Sequence, residues 1–406
     1  MTTDNWQQFK ELFQAALELP IEDRSAYLNR VCTEPSSRAE LEALLLCYQG
    51  VPDDRKEPLE NLDTPQTAHA HPLVESFMDH YQIVEKVSQK GPATQYLALR
   101  LNDPSLKQVL ITIVQTSTSA AEFLRSFKRE RLILMNLRHP NIASFLDTGI
   151  TRDGLAYLVA EYIEGLPVDE YCDTNKLNTL ARIKLFMDVC DAVQYAHQRF
   201  IAHTCINAQN ILVTKSGIPK LLDISIAGLL NQESRAQAGL LVAMKRSELE
   251  YISPEQIRGG PSTSADDVYS LGVLLYELLT GHSPYRMKDG KKGDVLPAIF
   301  EALKPSQVLD EIVEETSPDG KKMTINPQYL SVCRSEQIRA IRKCLAGDLD
   351  SIVLKAIQKD SSKRYASVEQ FSGDLRCYLA NRPVPARKHT FLYRAGKFMR
   401  RHTIRI

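Results

Sequence analysis

The stretch His203–Asn210, "HTCINAQN", joins a helical run, "FMDVCDAVQYAHQRFIA", to an apolar strand, "ILVT". A polar loop set on a rigid apolar scaffold is a common place for chemistry. His203 and Asn210 stand at its ends. Between them lie Thr204, Cys205, Ile206, Asn207, Ala208 and Gln209, with no carboxylate, imidazole or amine. Cys205 alone could attack an electrophile or take a proton. A thiol with a pKa near ~8.5 is a poor general base at neutral pH, and the flanking sequence shows no environment that would lower it. The loop reads as a frame without a reactive centre.

The chain has 406 residues, 50 basic and 50 acidic side chains, and a pI of about 7.1. That balance gives no electrostatic reason to bind nucleic acid or an acidic partner. With 43% hydrophobic residues it can bury a sizeable core, and its length implies two or three units. Eight cysteines form no C-x-x-C pair, and Cys47, Cys190 and Cys344 sit in apolar helical runs. They read as buried free thiols of a reducing compartment. The opening "MTTDNWQQFK" has no apolar signal region. No apolar run approaches the ~18 residues of a spanning helix. The expectation is a soluble, cytoplasmic protein.

The elements that must position the loop follow from periodicity. Residues 1–50 read as a small helical module. Trp6, Phe9, Leu12, Phe13 and Ala16 recur at helical spacing behind a possible N-cap at Asp4. Pro20 opens a second helix through "EDRSAYLNRV", and Ser37 with Glu40 makes a capping box before "LEALLLCY". So thin a core is marginal alone and should pack on something larger. Residues 51–75 carry four prolines and no periodicity, the composition of a linker. From Tyr81 short β-rich runs appear: "YQIVEKV", "TQYLALRL", "QVLITIV", "IASFLDTGI" and "LAYLVAEYI". The helical stretch "AAEFLRSFKRERLILMNL" interrupts them. After about residue 167 helices dominate, among them "LARIKLFMDVCDAVQYAHQRF" and "SADDVYSLGVLLYELLTG". A strand-rich lobe before a helix-rich lobe predicts an α+β, bilobal plan with a cleft between.

The motifs "HPNI", "AEYIEG", "HTCINAQNILVT", "PKLLDIS", "YISPEQIRG" and "DDVYSLGVLLYELLTG" occur in that order. On them the chain resembles a bacterial protein Ser/Thr kinase domain over roughly residues 80–386. The resemblance implies a small lobe at about 80–164, a large lobe at about 165–386 and a basic tail at 387–406. The N-terminal helices look like a module that often precedes such kinases. Ser253-Pro254-Glu255 matches the motif that closes the activation segment, Asp267 leads a buried helix, and Arg364 matches the residue that pairs with Glu255.

A kinase needs little covalent chemistry but strict electrostatics. The resemblance fixes where each group is expected. The three glycines of the phosphate turn fall on Ser88, Lys90 and Ala93. Gly91 is present, but Pro92 follows it and removes an amide. This stretch reads either as an ordinary β-hairpin or as a turn in which Lys90 supplies a displaced phosphate-binding amine. The phosphate-binding lysine position is Thr112, which has no cation. Its helix partner, Glu130, is left to Arg129, Arg131, Lys90 or solvent. The base position is Cys205. Thr204 stands where an arginine often answers an activation-loop phosphate, and Asn207 where a lysine steadies the transferring phosphoryl. Asn210 and Asp223 match the metal-ligand pair, so they are residual metal candidates. Mg²⁺ binds poorly to two ligands without phosphate oxygens. Ile224 and Ser225 follow Asp223. Residues 223–255, which include Ser234 and Ser247, show no obvious phospho-switch.

At the adenine slot, Leu110 replaces a small residue, Gln95 a β-branched one, and Ala160 stands at the gatekeeper position. The slot is therefore expected to be filled or distorted. The expectation is a pseudokinase, a binding or regulatory scaffold without bound cofactor, with a protein partner and no nucleic acid. The alternative is an atypical active kinase holding ATP and magnesium through Lys90, Asn210 and Asp223. The tail places Arg394, Lys397, Arg400, Arg401 and Arg405 near Phe391, Leu392, Phe398 and Met399. It is expected either to touch anionic membrane surfaces or to dock on the large lobe.

Overall fold

The computed structural model describes residues 15–16, 19–32, 38, 77–78, 80–90, 93–101, 107–114, 134–151, 153–223, 249–258, 260, 263–285, 302–316, 322–387 and 390–403. The expectations for Asp4, Trp6, Phe9, Leu12 and Phe13, the Ser37–Glu40 box, Cys47 and the 51–75 linker lie outside these residues. So do those for Gly91, Pro92, Arg129, Glu130, Arg131, Ile224, Ser225, Ser234, Ser247 and Arg405, and for most of "AAEFLRSFKRERLILMNL". In the N-terminal segment, helix α1 (Ile21–Val31) begins after Pro20 and buries Leu28.

The small lobe is a six-stranded antiparallel sheet. Its strands are β1 (Phe77–Met78), β2 (Tyr81–Lys90), β3 (Ala93–Arg100), β4 (Gln108–Val114), β5 (Phe145–Ile150) and β6 (Ala156–Glu161), in the order β1-β2-β3-β4-β6-β5. Alternate side chains of a strand point to opposite faces. On one face Val109, Ile111 and Ile113 of β4 pack with Tyr81, Ile83, Tyr96, Ala98, Tyr157 and Val159. On the other, Val114, Ala156 and Leu158 join the core of the large lobe. Both faces are covered, which is why "QVLITIV" reads as nearly continuous apolar sequence.

The large lobe is built around α3 (Ser264–Thr280), which packs against α2 (Thr179–His197), α4 (Asp350–Ala356) and α5 (Val368–Leu379). Almost every residue of α3 is buried; from Val268 on its apolar residues cover nearly every face, as expected for a buried helix. A capping box between Thr263 and Asp266 starts it, and Gly281 ends it with φ 70°. Gly272 is required by a close approach: a Cβ there would lie 2.7 Å from Ala356 and Ile357. In front of α2 lies a small sheet of β7 (Gly165–Pro167), β8 (Ile211–Thr214) and β9 (Pro219–Leu221). The lobes are stitched at the back, where Ala143 N–H donates to Leu221 O (2.9 Å) and Leu221 N–H to Asn141 O (2.8 Å).

One element was not anticipated. An antiparallel hairpin, β10 (Val313–Thr316) and β11 (Lys322–Ile325), interrupts the helical lobe. Its signal is present in sequence: "SPDG" separates two β-branched runs. The tail forms a helix, α6 (Phe391–Thr403). Lys397 is buried and its Nζ lies 2.6 Å from Asp348 Oδ2, while Arg387 Nη1 reaches Asp348 Oδ1 at 2.8 Å. At ~100° per residue, Phe391, Leu392, Phe398 and Met399 share the face opposite Lys397, and all four are exposed.

Candidate functional site

The loop between α2 and β8 is held from below by one carboxylate. Asp267, fully buried at the start of α3, accepts from His203 N–H (2.8 Å), from Thr204 N–H (2.7 Å) and from His197 Nε2 (2.7 Å). His203 then props the loop against the next strand. Its Nε2 donates to Leu222 O (2.7 Å), and its Nδ1 accepts from Cys205 N–H (3.4 Å). One ring nitrogen donates and the other accepts, which describes a neutral imidazole. Burial lowers the His203 pKa, against the opposing pull of Asp267. Gln256 Nε2 closes the far side by donating to Thr204 O (3.0 Å). His203 is thus an architectural residue.

The middle of the loop folds on itself. Asn207 Oδ1 accepts from Asn210 N–H (3.0 Å) and caps the short turn Ala208–Asn210. Asn210 Nδ2 donates to Cys205 O (2.9 Å) and lies 3.7 Å from Cys205 Sγ. Cys205 is half-buried. Of the other cysteines named from sequence, Cys190 is buried and Cys344 half-buried beside the Tyr378 hydroxyl.

Across the cleft, Ser88, Gln95 and Thr112 stand side by side on β2, β3 and β4, since Ser88 pairs with Gln95 and Gln95 with Thr112. Gln95 is buried and bridges the lobes. Ser88 Oγ donates to Gln95 Oε1 (2.7 Å), and Gln95 Nε2 donates to Asp223 Oδ1 and Oδ2 (3.3 and 3.4 Å). Asp223 adopts φ 56°, uncommon for a residue with a side chain. Gln95, expected at the adenine slot, has two partners in the structure, Ser88 and Asp223. Lys90 ends β2 opposite Ala93, and its amine lies outside the described residues.

Deeper in, Leu110 pairs directly with Ala160 across β4 and β6. The two line a cavity of about 30 Å³ together with Leu134, Phe145, Leu222 and Asp223. Clefts for drug-sized ligands measure roughly 300–1,000 Å³. Among the described residues no three His, Cys, Asp or Glu side chains gather at a metal-binding spacing. Asn210 bonds to Cys205 and Asp223 to Gln95.

At the end of the cleft segment Glu255 and Arg364 form a two-pronged ion pair, with Arg364 Nη2 2.7 Å from Glu255 Oε2. The Arg364 guanidinium holds the Glu255 carboxyl below its usual range despite its burial. Asp266, next to Asp267, shows the reverse: burial raises its pKa to about 6, against hydrogen bonds from Ser253 and Thr263.

A strand lobe and a helical lobe around this cleft define a kinase-shaped molecule. The model of the family described as "Protein kinase domain" matches residues 97–372, and the chain belongs to that family. It is 33% identical over 299 residues to the serine/threonine-protein kinase PrkC of Bacillus subtilis, covering 73% of this chain and 40% of that one. It is 29% identical over 303 residues to the serine/threonine-protein kinase PknB of Mycobacterium tuberculosis, covering 73% and 42%. The chain thus spans about two-fifths of the length of these relatives. The solved kinase domain of M. tuberculosis PknI aligns over 75% of this chain and 98% of its own, at 19% identity and a TM-score of 0.49.

Sequence reasoning placed Ser88, Gln95, Thr112, Asn210 and Asp223 at the cleft but missed the chain of hydrogen bonds through Gln95. A polar residue at a buried β position was its only signal. It also missed how Asp267 holds the loop. Replacing Asp267 with Ala leaves three buried donors without an acceptor, at ~1–3 kcal/mol each. Asp267→Ala is expected to lose at least ~3 kcal/mol in urea unfolding; a loss below ~1 kcal/mol would show that the loop holds itself.

Proposed function

We propose that this protein is a catalytically impaired kinase homologue that acts as a binding or regulatory scaffold. One observation carries the reading: the lysine and base positions of the kinase pattern are Thr112 and Cys205, and the neighbouring polar groups bond to one another. Thr112 brings no charge to a triphosphate. Cys205 brings no carboxylate to accept a hydroxyl proton, and Asn210 is turned to the Cys205 carbonyl. Loss of a general base costs roughly 10²–10⁴ in rate, and loss of the lysine adds to it. The glutamate–arginine pair and the Asp267 hub, by contrast, support a folded surface for a protein partner.

A second reading has the relatives in its favour, since both are named serine/threonine-protein kinases. In it the chain is an atypical active kinase that binds ATP and magnesium through Lys90, Asn210 and Asp223. Phosphoryl transfer depends mainly on positioning and charge, so this reading needs a rearranged cleft. Incubation with radiolabelled ATP, magnesium and a generic protein substrate separates the two. The scaffold reading expects no incorporation into the chain or the substrate. Incorporation abolished by Asp223→Ala would establish the active kinase.

We also propose that α6 contacts anionic lipid surfaces. Its polar face docks through Lys397, while Phe391 and Leu392 are 86% and 84% exposed. From residue 375 to the end the chain carries nine Lys and Arg and no acidic residue, and each basic group at such a surface contributes about 1 kcal/mol. Among the described residues no helix is long and apolar enough to cross a membrane. The full chain is expected to sediment with phosphatidylserine vesicles at low salt and to release at high salt. The double variant Phe391→Ser, Leu392→Ser should not sediment; equal binding by both proteins would refute the contact.

A further inference from the structure

The geometry points to Gln95 as the group that takes the place of a cation at Asp223 and latches the two lobes together. This rests on the scaffold reading above and adds how the cleft is held shut. The orientation of the Gln95 amide follows from chemistry. An ionised carboxylate only accepts hydrogen bonds, so the end facing Asp223 must be the NH₂ group. The amide oxygen then faces Ser88, whose hydroxyl donates to it. The chain of bonds has one direction, from the small-lobe sheet to the strand end that carries Asp223.

The placement is specific. Gln95 is directly opposite Thr112, so the two side chains share a face about 5 Å apart. A cation on residue 112 would reach into the space that the Gln95 amide occupies. With Thr there, Gln95 is the neutral donor that answers Asp223. Its bonds add a side-chain tie between the lobes to the backbone stitch at Asn141–Ala143 and Leu221. A buried amide left without these partners would carry a desolvation cost, which favours the closed form with no nucleotide present.

Hydrogen exchange on the full chain tests this. Gln95→Met keeps the volume and removes both bonds. Gln95→Glu keeps the shape and sets a carboxylate against Asp223. Peptides covering Ser88–Gln95 and Leu221–Asp223 should exchange about tenfold faster in Gln95→Met, the factor for one hydrogen bond to a charged group, and faster still in Gln95→Glu. Exchange in α3 should not change. Ser88→Ala, at the outer end of the chain, should give the same pattern more mildly, and decides the matter if the Gln95 variants do not fold. Wild-type exchange rates in the variants that fold would overturn the latch. The radiolabel assay on the same wild-type protein judges the scaffold reading separately: incorporation refutes that reading, whereas unchanged exchange refutes only the latch.

Discussion

The hydrogen bonds accepted by the Asp267 carboxylate fix the rest of the cleft. Two backbone amides and one imidazole converge on it from the loop and from α2. The carboxylate is itself fixed by α3, the most deeply buried helix of the large lobe. The start of the loop is therefore held through its backbone, whatever side chain stands at Cys205, and Asn207 holds its far turn. That explains how His203 and Asn210 can frame a loop whose middle holds no base. Glu255 and Arg364 play the same part for the segment that follows the cleft. A buried ion pair of this kind adds little net stability, but removing either partner strands the other charge and is strongly destabilising.

Above that frame the cleft is self-satisfied. A kinase cleft that binds nucleotide presents charge and donors that the ligand completes. Here Ser88, Gln95 and Asp223 complete one another, as do Asn207, Asn210 and Cys205. Leu110 and Ala160, large opposite small, adjoin the remaining cavity. Buried polar groups that already have partners gain little by exchanging them for a ligand.

The bilobal fold was legible because each element carries its own period. The run "QVLITIV" alternates between two buried faces, and α3 is apolar over most of its length after Asp267, so both could be placed from sequence. The Glu255–Arg364 pair was legible through the motifs that hold its members. What escaped were contacts between residues far apart in the chain. Gln95 and Asp223 are separated by 128 positions, and no local pattern announces their meeting. Asp348 and Lys397 meet in the same way, through the path of the tail. The β10–β11 hairpin escaped for another reason: its strands are only four residues each and lie in a lobe that is otherwise mostly helical.

The melting temperature of the unmodified chain with and without ATP and magnesium tests the central claim most directly. A ligand at ~100 times its dissociation constant stabilises a fold by ~2.7 kcal/mol, a shift of about 2–4 °C for a domain of this size. A cleft whose groups are engaged with one another predicts no shift at millimolar nucleotide. A clear, magnesium-dependent rise in the wild-type protein would contradict it.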